Sequence, residues 1–278
     1  MVRSLNVLLL ALLGLIAGRE ARVRAQDRDD TGLTGAVSEE EFKALHAAPH
    51  DRSPAPRGRM IEVGADRAYL SLPDGEPTGR PALVVIHEWW GLNDNVKHWA
   101  DRLAADGYAA LAVDLYGGEV ATTSDRALAL MRGVDQAQAL ARLQAAAGFL
   151  REDARVRAPK VGAIGWCFGG AQALQLALHD PDLSAAVIYY GRLVTDPERL
   201  RPIKAAVLGV FGSRDPSIPL DAVKAFEQGL GQAGVTHEVH VFDAEHAFAN
   251  PSNPRYQSEA AADAWARTRT FLARHLRP

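Results

Sequence analysis

The chain of 278 residues contains one cysteine, Cys167, and the residues around it suit a nucleophile. Cys167 lies in GWCFGG, a Gly-x-Cys-x-Gly motif that follows the apolar run at residues 161–164 and precedes a helical pattern over residues 171–178. A strand, a sharp glycine-rich turn and a helix in this order are typical of a nucleophile elbow, which usually carries serine. A lone cysteine can also be a small buried apolar residue. The flanking glycines favour the nucleophile.

A thiol attacks as thiolate, so Cys167 needs a nearby base or cation. Asp215 follows the apolar strand predicted at residues 205–212, and His246 follows the strand predicted at 236–243. Open α/β sheets gather their functional residues at the carboxyl ends of such strands. The order nucleophile, acid, histidine is that of the α/β-hydrolases. These positions predict that Asp215 and His246 activate the thiol.

Other residues could take these two roles. Asp215 alone could be a turn residue before Pro216. Asp243 and Glu245 are rival acids, but they lie too close to His246 in sequence to fold back easily onto its ring. The remaining downstream histidines are interpreted as structural or surface residues: His179 ends a predicted helix, and His237 and His240 lie within a predicted strand.

Glu88 ends a buried strand in VVIHEWWGLNDN. A carboxylate at such a position is costly unless it is paired or has a role. One interpretation is that Glu88 faces the Cys167 thiol and alters its protonation; the alternative is a solvated carboxylate at the strand end. The segment HEWWG lacks the second histidine of the zinc motif His-Glu-x-x-His, so we expect no metal site.

Strands and helices alternate from residue 59 onward. Near-continuous apolar strands separated by helices predict an α/β fold with a mostly parallel central sheet flanked by helices on both faces. An elbow in such a sheet indicates the α/β-hydrolase architecture. Strands are predicted at 67–73, 81–88, 108–115, 161–164, 184–191, 205–212 and 236–243, and helices at 95–106, 124–132, 135–151, 171–178, 219–233 and 256–275.

Composition excludes some classes of protein. The chain is 47% hydrophobic and 23% charged, which is ordinary globular material. The net charge of −3 and the lack of a dense Lys/Arg run argue against a nucleic-acid binder. One cysteine excludes an intramolecular disulfide.

The first residues predict export. Arg3 precedes an apolar run at residues 7–17, which is short for a membrane span but fits the core of a signal peptide. We expect a signal peptide at 1–25, cleaved near Ala25, and a periplasmic or secreted product with no stable membrane association. The alternative is an uncleaved N-terminal anchor. Residues 26–58 predict a flexible polar leader with one short helix near 38–46, and 59–278 form the α/β domain.

Six segments together resemble the dienelactone hydrolase (carboxymethylenebutenolidase-like) family over about residues 58–276: HEWWGLNDN, GYAALAVDLYGG, VGAIGWCFGGA, AVIYYG, FGSRDPSIP and AEHAFAN. The resemblance implies an α/β-hydrolase fold, hydrolysis of esters or lactones, and no cofactor. It also implies a triad of Cys167, Asp215 and His246, with Glu88 holding the thiol at rest. The backbone N–H groups of Trp89 and Phe168 would form the oxyanion hole.

The chain departs from the family in one respect. Members that hydrolyse dienelactone hold its carboxylate with arginines, whereas this chain has Asn250 and Gly117-Gly118 at the corresponding places. The carboxylate clamp is therefore expected to be absent, unless Arg192 or Arg214 supplies it. Trp90 and Tyr116, with Asn250, are expected to line an apolar, aromatic substrate pocket; packing under the sheet edge is the alternative for the aromatic residues.

The leading hypothesis is a monomeric hydrolase that cleaves small-molecule esters or lactones through an acyl-cysteine intermediate. One alternative is a binding protein on a hydrolase fold that has lost catalysis, although Cys167, Asp215, His246 and Glu88 are all present. Another is a redox-active protein that uses Cys167 as a sensor, which the lack of a resolving cysteine disfavours.

Overall fold

Six parallel strands form the centre of the computed structural model, which describes residues 55–277. The eight strands lie in the order β1-β2-β4-β3-β5-β6-β7-β8, and only the β1/β2 and β2/β4 pairs are antiparallel. The strands are β1 (Arg59–Val63), β2 (Asp66–Ser71), β3 (Ala82–Ile86), β4 (Ala109–Val113), β5 (Val161–Trp166), β6 (Ala185–Tyr189), β7 (Ala206–Gly212) and β8 (His237–Phe242).

Among residues 55–277, six helices lie between the strands and a seventh follows β8: α1 (Asp94–Ala105), α2 (Ser124–Arg132), α3 (Gln136–Glu152), α4 (Phe168–His179), α5 (Pro197–Leu200), α6 (Leu220–Ala233) and α7 (Ser258–Leu276). Helices α3 and α4 pack against each other and the sheet. On the other face α1 and α7 meet where Trp99 stacks on Trp166 of β5 and contacts Trp265. The predicted α/β fold, with helices on both faces of a mostly parallel sheet, is confirmed.

The core follows from the apolar strands. Every residue of β3, β4, β5, β6 and β7 is buried, whereas the edge strands β1 and β8 are partly exposed. A strand covered by helices on both faces needs apolar side chains in both directions, which explains the near-continuous apolar runs. The same burial fixes the ends of β3, β5 and β7, which together with the end of the edge strand β8 carry the candidate site.

Two elements were not predicted. Strand β1 has little buried surface and pairs only with β2, so its sequence lacks the apolar signal of the central strands. Helix α5 has only four residues and begins with Pro197. Helix α4 begins at Phe168, three residues before the predicted start, because the chain becomes helical directly after Cys167.

The chain segment before β1 is tied to α1. The backbone N–H groups of Arg57 and Gly58 donate to the Asp101 carboxylate at 2.8 and 3.3 Å. The hydroxyls of Tyr69 and Ser71 donate to the same carboxylate.

Residues 55–58 are the only described part of the predicted leader. The predicted signal peptide at 1–25 and the predicted helix at 38–46 lie outside the described residues. Between residues 55 and 277 no helix has the length and apolar character that crossing a bilayer requires.

Candidate active site

Cys167 lies at the turn between β5 and α4, in a backbone conformation that is rare for a non-glycine residue. Its φ is 55° and its ψ is −116°. The Cys167 N–H donates to the Tyr189 carbonyl at 3.0 Å, which ties the turn to β6. Strain of this kind persists only where the surrounding structure imposes it, and it is frequent at functional sites. The predicted elbow is therefore present, with the thiol buried.

The two motif glycines are required by close backbone approach. A Cβ atom on Gly165 would lie 2.1 Å from the Gly169 carbonyl oxygen, and one on Gly169 would lie 2.2 Å from the Ile86 carbonyl oxygen. Rigid backbone cannot move away from such contacts at low cost. The Gly-x-Cys-x-Gly pattern thus reflects how closely β5, α4 and β3 approach one another around the thiol.

Asp215 and His246 are hydrogen-bonded to each other beyond the ends of β7 and β8. The Nδ1–H of His246 donates to Asp215 Oδ2 at 2.6 Å, and both side chains are buried. The other carboxylate oxygen, Oδ1, accepts the backbone N–H groups of Ser217 and Ile218. A ring that donates from Nδ1 to a carboxylate has Nε2 as its basic nitrogen. The arrangement can therefore accept a proton at Nε2 and stabilise the resulting imidazolium.

The rival acids make other contacts. Asp243 forms an exposed ion pair with Arg214, and Glu245 pairs with Arg255 at 3.0 Å. Neither is the carboxylate that meets the His246 ring at Nδ1. His237 Nδ1 contacts the Val235 carbonyl and His179 Nδ1 contacts the Gln175 carbonyl, and His240 lies near Glu238. These three histidines make local structural contacts.

Glu88 is buried just beyond β3, next to Cys167 and His246. Burial raises the pKa of Glu88 from 4.5 to about 7, while His246, Asn250 and Tyr190 favour the charged form and limit the rise. The side-chain N–H of Asn250 donates to Glu88 Oε2. Neither Glu88 Oε1 nor the Tyr190 hydroxyl has a hydrogen-bond partner of good geometry, and Tyr190 favours the charged form of Glu88. Glu88 is thus a buried acid that titrates near neutral pH.

The Cys167 thiol lies in surroundings that oppose its ionisation. Burial raises the pKa of the thiol well above 9.0, and the charges of Glu88 and Asp215 act in the same direction. The backbone N–H groups of Phe168 and Trp89 act in the opposite direction, as donors toward the sulfur. These two groups lie beside the Cys167 sulfur, and their role as the oxyanion hole stays a prediction.

Aromatic side chains surround the thiol. Tyr116 packs edge-to-face on the His87 ring at 4.6 Å and lies 5.9 Å from the Phe168 ring, measured between centroids. The Tyr116 side chain also lies near the thiol, whose charge would oppose ionisation of the phenol. Trp90 is buried against Trp89, with centroids 5.0 Å apart. Tyr116 also lines a cavity of about 450 Å³ between the end of β4 and helices α2 and α3, whereas the pocket roles of Trp90 and Tyr116 stay predictions.

The residues that could bind a substrate carboxylate have other contacts. Asn250 is buried and donates to Glu88. Arg214 is paired with Asp243, and the side chain of Arg192 is half-buried.

Within residues 55–277, no group of three or more His, Cys, Asp or Glu side chains is arranged to hold a metal ion.

Three residues at the site were missed by the sequence analysis. Tyr190 follows β6 with a φ of 37° and packs on the His246 ring at 5.0 Å. His87 donates from Nδ1 to the Glu88 carbonyl and accepts the Leu115 N–H at Nε2, which joins the ends of β3 and β4. Asn95 contacts Asn250. Two of them had a signal in the sequence: Tyr190 lies in a tyrosine pair before glycine, and His87 directly precedes Glu88. No sequence pattern identified Asn95 as a site residue.

Glu88→Gln should remove a pH-dependent cost to stability. The folded-state pKa of Glu88 lies above its ordinary value, so stability is lost as pH rises from about 4.5 to about 7 and stays reduced above that window. The pKa difference corresponds to about 3 kcal/mol. We expect the variant to be more stable than the wild type at pH 8 by up to that amount, and equal to it near pH 4.5, in urea unfolding. The exposed change Glu62→Gln should leave the pH dependence unaltered; a Glu88→Gln variant less stable than the wild type at pH 8 would contradict the account.

Comparison with known proteins agrees with this geometry. The sequence model of the dienelactone hydrolase family matches residues 67–276. A "Putative carboxymethylenebutenolidase" of Methylorubrum extorquens is 32% identical over 231 residues, which cover 77% of this chain and 79% of that protein. The crystal structure of a "Putative Dienelactone Hydrolase" from Klebsiella pneumoniae has a TM-score of 0.72 at 29% identity and is matched over its whole length by 80% of this chain. A dienelactone hydrolase-like promiscuous phosphotriesterase from metagenomic libraries has a TM-score of 0.69 at 31% identity, over 80% of this chain and 98% of that one. The chain is a hydrolase that belongs to the dienelactone hydrolase family.

Proposed function

We propose that this hydrolase cleaves ester or lactone bonds of small molecules through Cys167 as nucleophile, with His246 as base and Asp215 as its partner. The observation that carries the proposal is the hydrogen bond from His246 Nδ1 to Asp215 at the same edge of the sheet as the Cys167 elbow. A base oriented by a buried carboxylate, at the same sheet edge as a nucleophile on a strained turn, is the constellation that acyl transfer requires.

The proposed reaction has two halves. His246 Nε2 takes the thiol proton, and Sγ bonds to the substrate carbonyl carbon. The carbonyl oxygen becomes an oxyanion held by the N–H groups of Trp89 and Phe168, which contributes roughly 3–4 kcal/mol. Collapse of this intermediate breaks the bond to the leaving alcohol oxygen, which receives the proton from His246. Water, deprotonated by His246, then attacks the thioester and releases the acid and the thiol.

Glu88 is proposed to hold the thiol in the resting site. The charge of Glu88 raises the pKa of Cys167, and removing that charge from the neighbourhood of the sulfur would favour thiolate. In this proposal Glu88 moves away from Cys167 when substrate binds. The thiolate then forms only when a carbonyl group is in place, which limits side reactions.

The substrate is proposed to be uncharged. The two charged side chains that act on the thiol, Glu88 and Asp215, are both negative. Asn250 directs its amide at Glu88. An anionic group would therefore enter a site that already disfavours negative charge, at a cost of several kcal/mol without a paired cation.

The alternatives make different predictions. A binding protein that has lost catalysis would retain small-molecule binding but show no turnover. A redox sensor would need a thiol that ionises easily and is exposed, whereas Cys167 is buried and its pKa is raised.

We also propose that the protein is exported and is a monomer after cleavage near Ala25. N-terminal sequencing of the mature protein should then begin near Gln26, and recovery of full-length protein from the cytoplasm would refute the proposal.

Cys167→Ala should lower kcat/KM for p-nitrophenyl esters by at least about 10³-fold while the protein stays folded, because the nucleophile is lost and the turn tolerates a smaller side chain. Cys167→Ser should also be poor, since the site is arranged around a thiol. The measurement is steady-state hydrolysis, with circular dichroism as the check on folding.

The two aspartates provide the matched control for that experiment. Asp215→Asn should lose activity by several orders of magnitude, whereas Asp243→Asn, which alters exposed contacts with Arg214 and Ser213, should stay near wild type. Near-wild-type turnover in Cys167→Ala would refute the nucleophile assignment.

The wild-type protein should prefer a neutral lactone to an anionic lactone of similar size by at least about 10² in kcat/KM, because the anion lacks a charge-assisted partner. The measurement is kcat/KM for the two lactones under the same conditions. A preference for the anion would contradict the proposal, and its loss in Arg192→Ala or in Arg214→Ala would identify the cation responsible.

A further inference from the structure

Asn250 is held on both sides of its amide group. Its Nδ2–H donates to Glu88 Oε2, while its Oδ1 accepts the backbone N–H of Ser252 at 2.8 Å and the Nδ2–H of Asn95 at 3.3 Å. Asn95 and Asn250 are both buried. An amide oxygen that accepts two N–H donors cannot also face a carboxylate, so the orientation of the Asn250 side chain is determined by its neighbours.

The three side chains come from distant parts of the chain. Glu88 follows β3, Asn95 lies in the first turn of α1, and Asn250 lies in the loop four residues after His246. Asn95 is 155 residues from Asn250 in sequence, and Asn250 is 162 residues from Glu88. The contact therefore links the N-terminal end of α1 to the loop that carries the proposed base.

The charge of Glu88 depends on few groups. His246 acts on it from the loop after β8, Tyr190 from the end of β6, Asn250 from the loop after His246, and Cys167 from the elbow. On α1 itself, the charged residues of the first turns, Asp94 and Lys97, pair with each other at the surface. A neutral N–H donor favours a charged carboxylate, and the Asn250 amide is that donor here.

We propose that Asn95 is a positioning residue that, through Asn250, keeps an N–H donor on Glu88 and so sets the charge of the Glu88–Cys167 pair in the resting site. The proposal rests on the proposed function of Glu88 and Cys167. It assigns to α1 a role in the site beyond packing. Asn95 acts indirectly, because its own amide contacts Asn250, and Asn250 contacts the Glu88 carboxylate.

Substitution at Asn95 separates this role from packing. In Asn95→Asp the new carboxylate only accepts hydrogen bonds. It would therefore favour an Asn250 side-chain amide rotated by half a turn, with Nδ2 toward the new carboxylate and Oδ1 toward Glu88. The charged form of Glu88 would lose its donor and face an acceptor. Asn95→Ala removes only one of the two donors to Oδ1 and leaves the Ser252 N–H in place. The aspartate variant should therefore have the larger effect.

The matched control is Asn93→Asp. Asn93 is the N-cap of α1, and its Oδ1 accepts the Val96 N–H, which an aspartate can also do. This variant adds a negative charge two residues from Asn95 without changing the donor to Asn250. Because Asn93 is half-buried and Asn95 is buried, this charge is screened more strongly than one at position 95, so the charge-free variant Asn95→Ala is measured beside it.

The test is an infrared titration of the carboxyl C=O band of protonated Glu88 in the full-length protein, with the band assigned by its loss in Glu88→Gln. The wild-type midpoint is expected at about 7. Asn95→Asp should raise the midpoint by about one pH unit, a tenfold change in the ionisation constant, and clearly more than Asn93→Asp does. A midpoint in Asn95→Asp that moves no further than in Asn93→Asp would overturn the proposal.

Asn95→Ala carries the test if the aspartate variant does not fold. It should raise the midpoint by a smaller amount, and an unchanged midpoint would overturn the proposal. The titration requires no turnover, so its failure differs from failure of the proposed function. If Cys167→Ala retained esterase activity while the Asn95 variants shifted the midpoint, the positioning of Glu88 would stand and the nucleophile assignment would fall.

Discussion

A buried carboxyl group beside a buried thiol is the constraint on which the site depends. Burial alone raises the pKa of both Glu88 and Cys167, and the charge of Glu88 raises that of Cys167 further. The Glu88 carboxyl and the Cys167 thiol share a low-dielectric site, so they cannot both ionise easily. In the proposed mechanism the thiol stays protonated at rest, and it becomes a nucleophile only when Glu88 is displaced and His246 takes the proton.

The parallel sheet brings these groups together. Glu88, Cys167, Tyr190, Asp215 and His246 each follow the carboxyl end of a strand, β3, β5, β6, β7 and β8 respectively. The strands are neighbours in the sheet, so residues far apart in sequence meet at one edge. Of the four non-glycine residues with positive φ among residues 55–277, three lie in this region: Cys167, Tyr190 and Ala247. The buried sheet supports strained backbone at the site, as functional sites commonly require.

What could be predicted from the sequence follows from the strength of each local signal. The apolar central strands and the glycines around Cys167 specify the sheet and the elbow, because burial and close backbone approach leave few other residue types possible. The position of Asp215 after the buried strand β7 could be identified for the same reason, and that of His246 from the alternating pattern of the edge strand β8. Strand β1 could not, since an exposed edge strand needs no apolar pattern. Asn95 could not either, because its contact joins the first turn of α1 to Asn250, 155 residues away in sequence, and no sequence pattern indicates it. Asn250 was expected to line the substrate pocket; the structure shows its amide on Glu88, and the pocket role stays a prediction.

The most direct test of the central claim is mass spectrometry of the enzyme, quenched in acid during turnover of a p-nitrophenyl ester and digested into peptides. The account predicts a mass increase equal to the acyl group on the peptide that contains Cys167, removable by neutral hydroxylamine as expected of a thioester. Steady turnover with Cys167 unmodified and the acyl group on another residue would contradict the claim that this cysteine is the nucleophile.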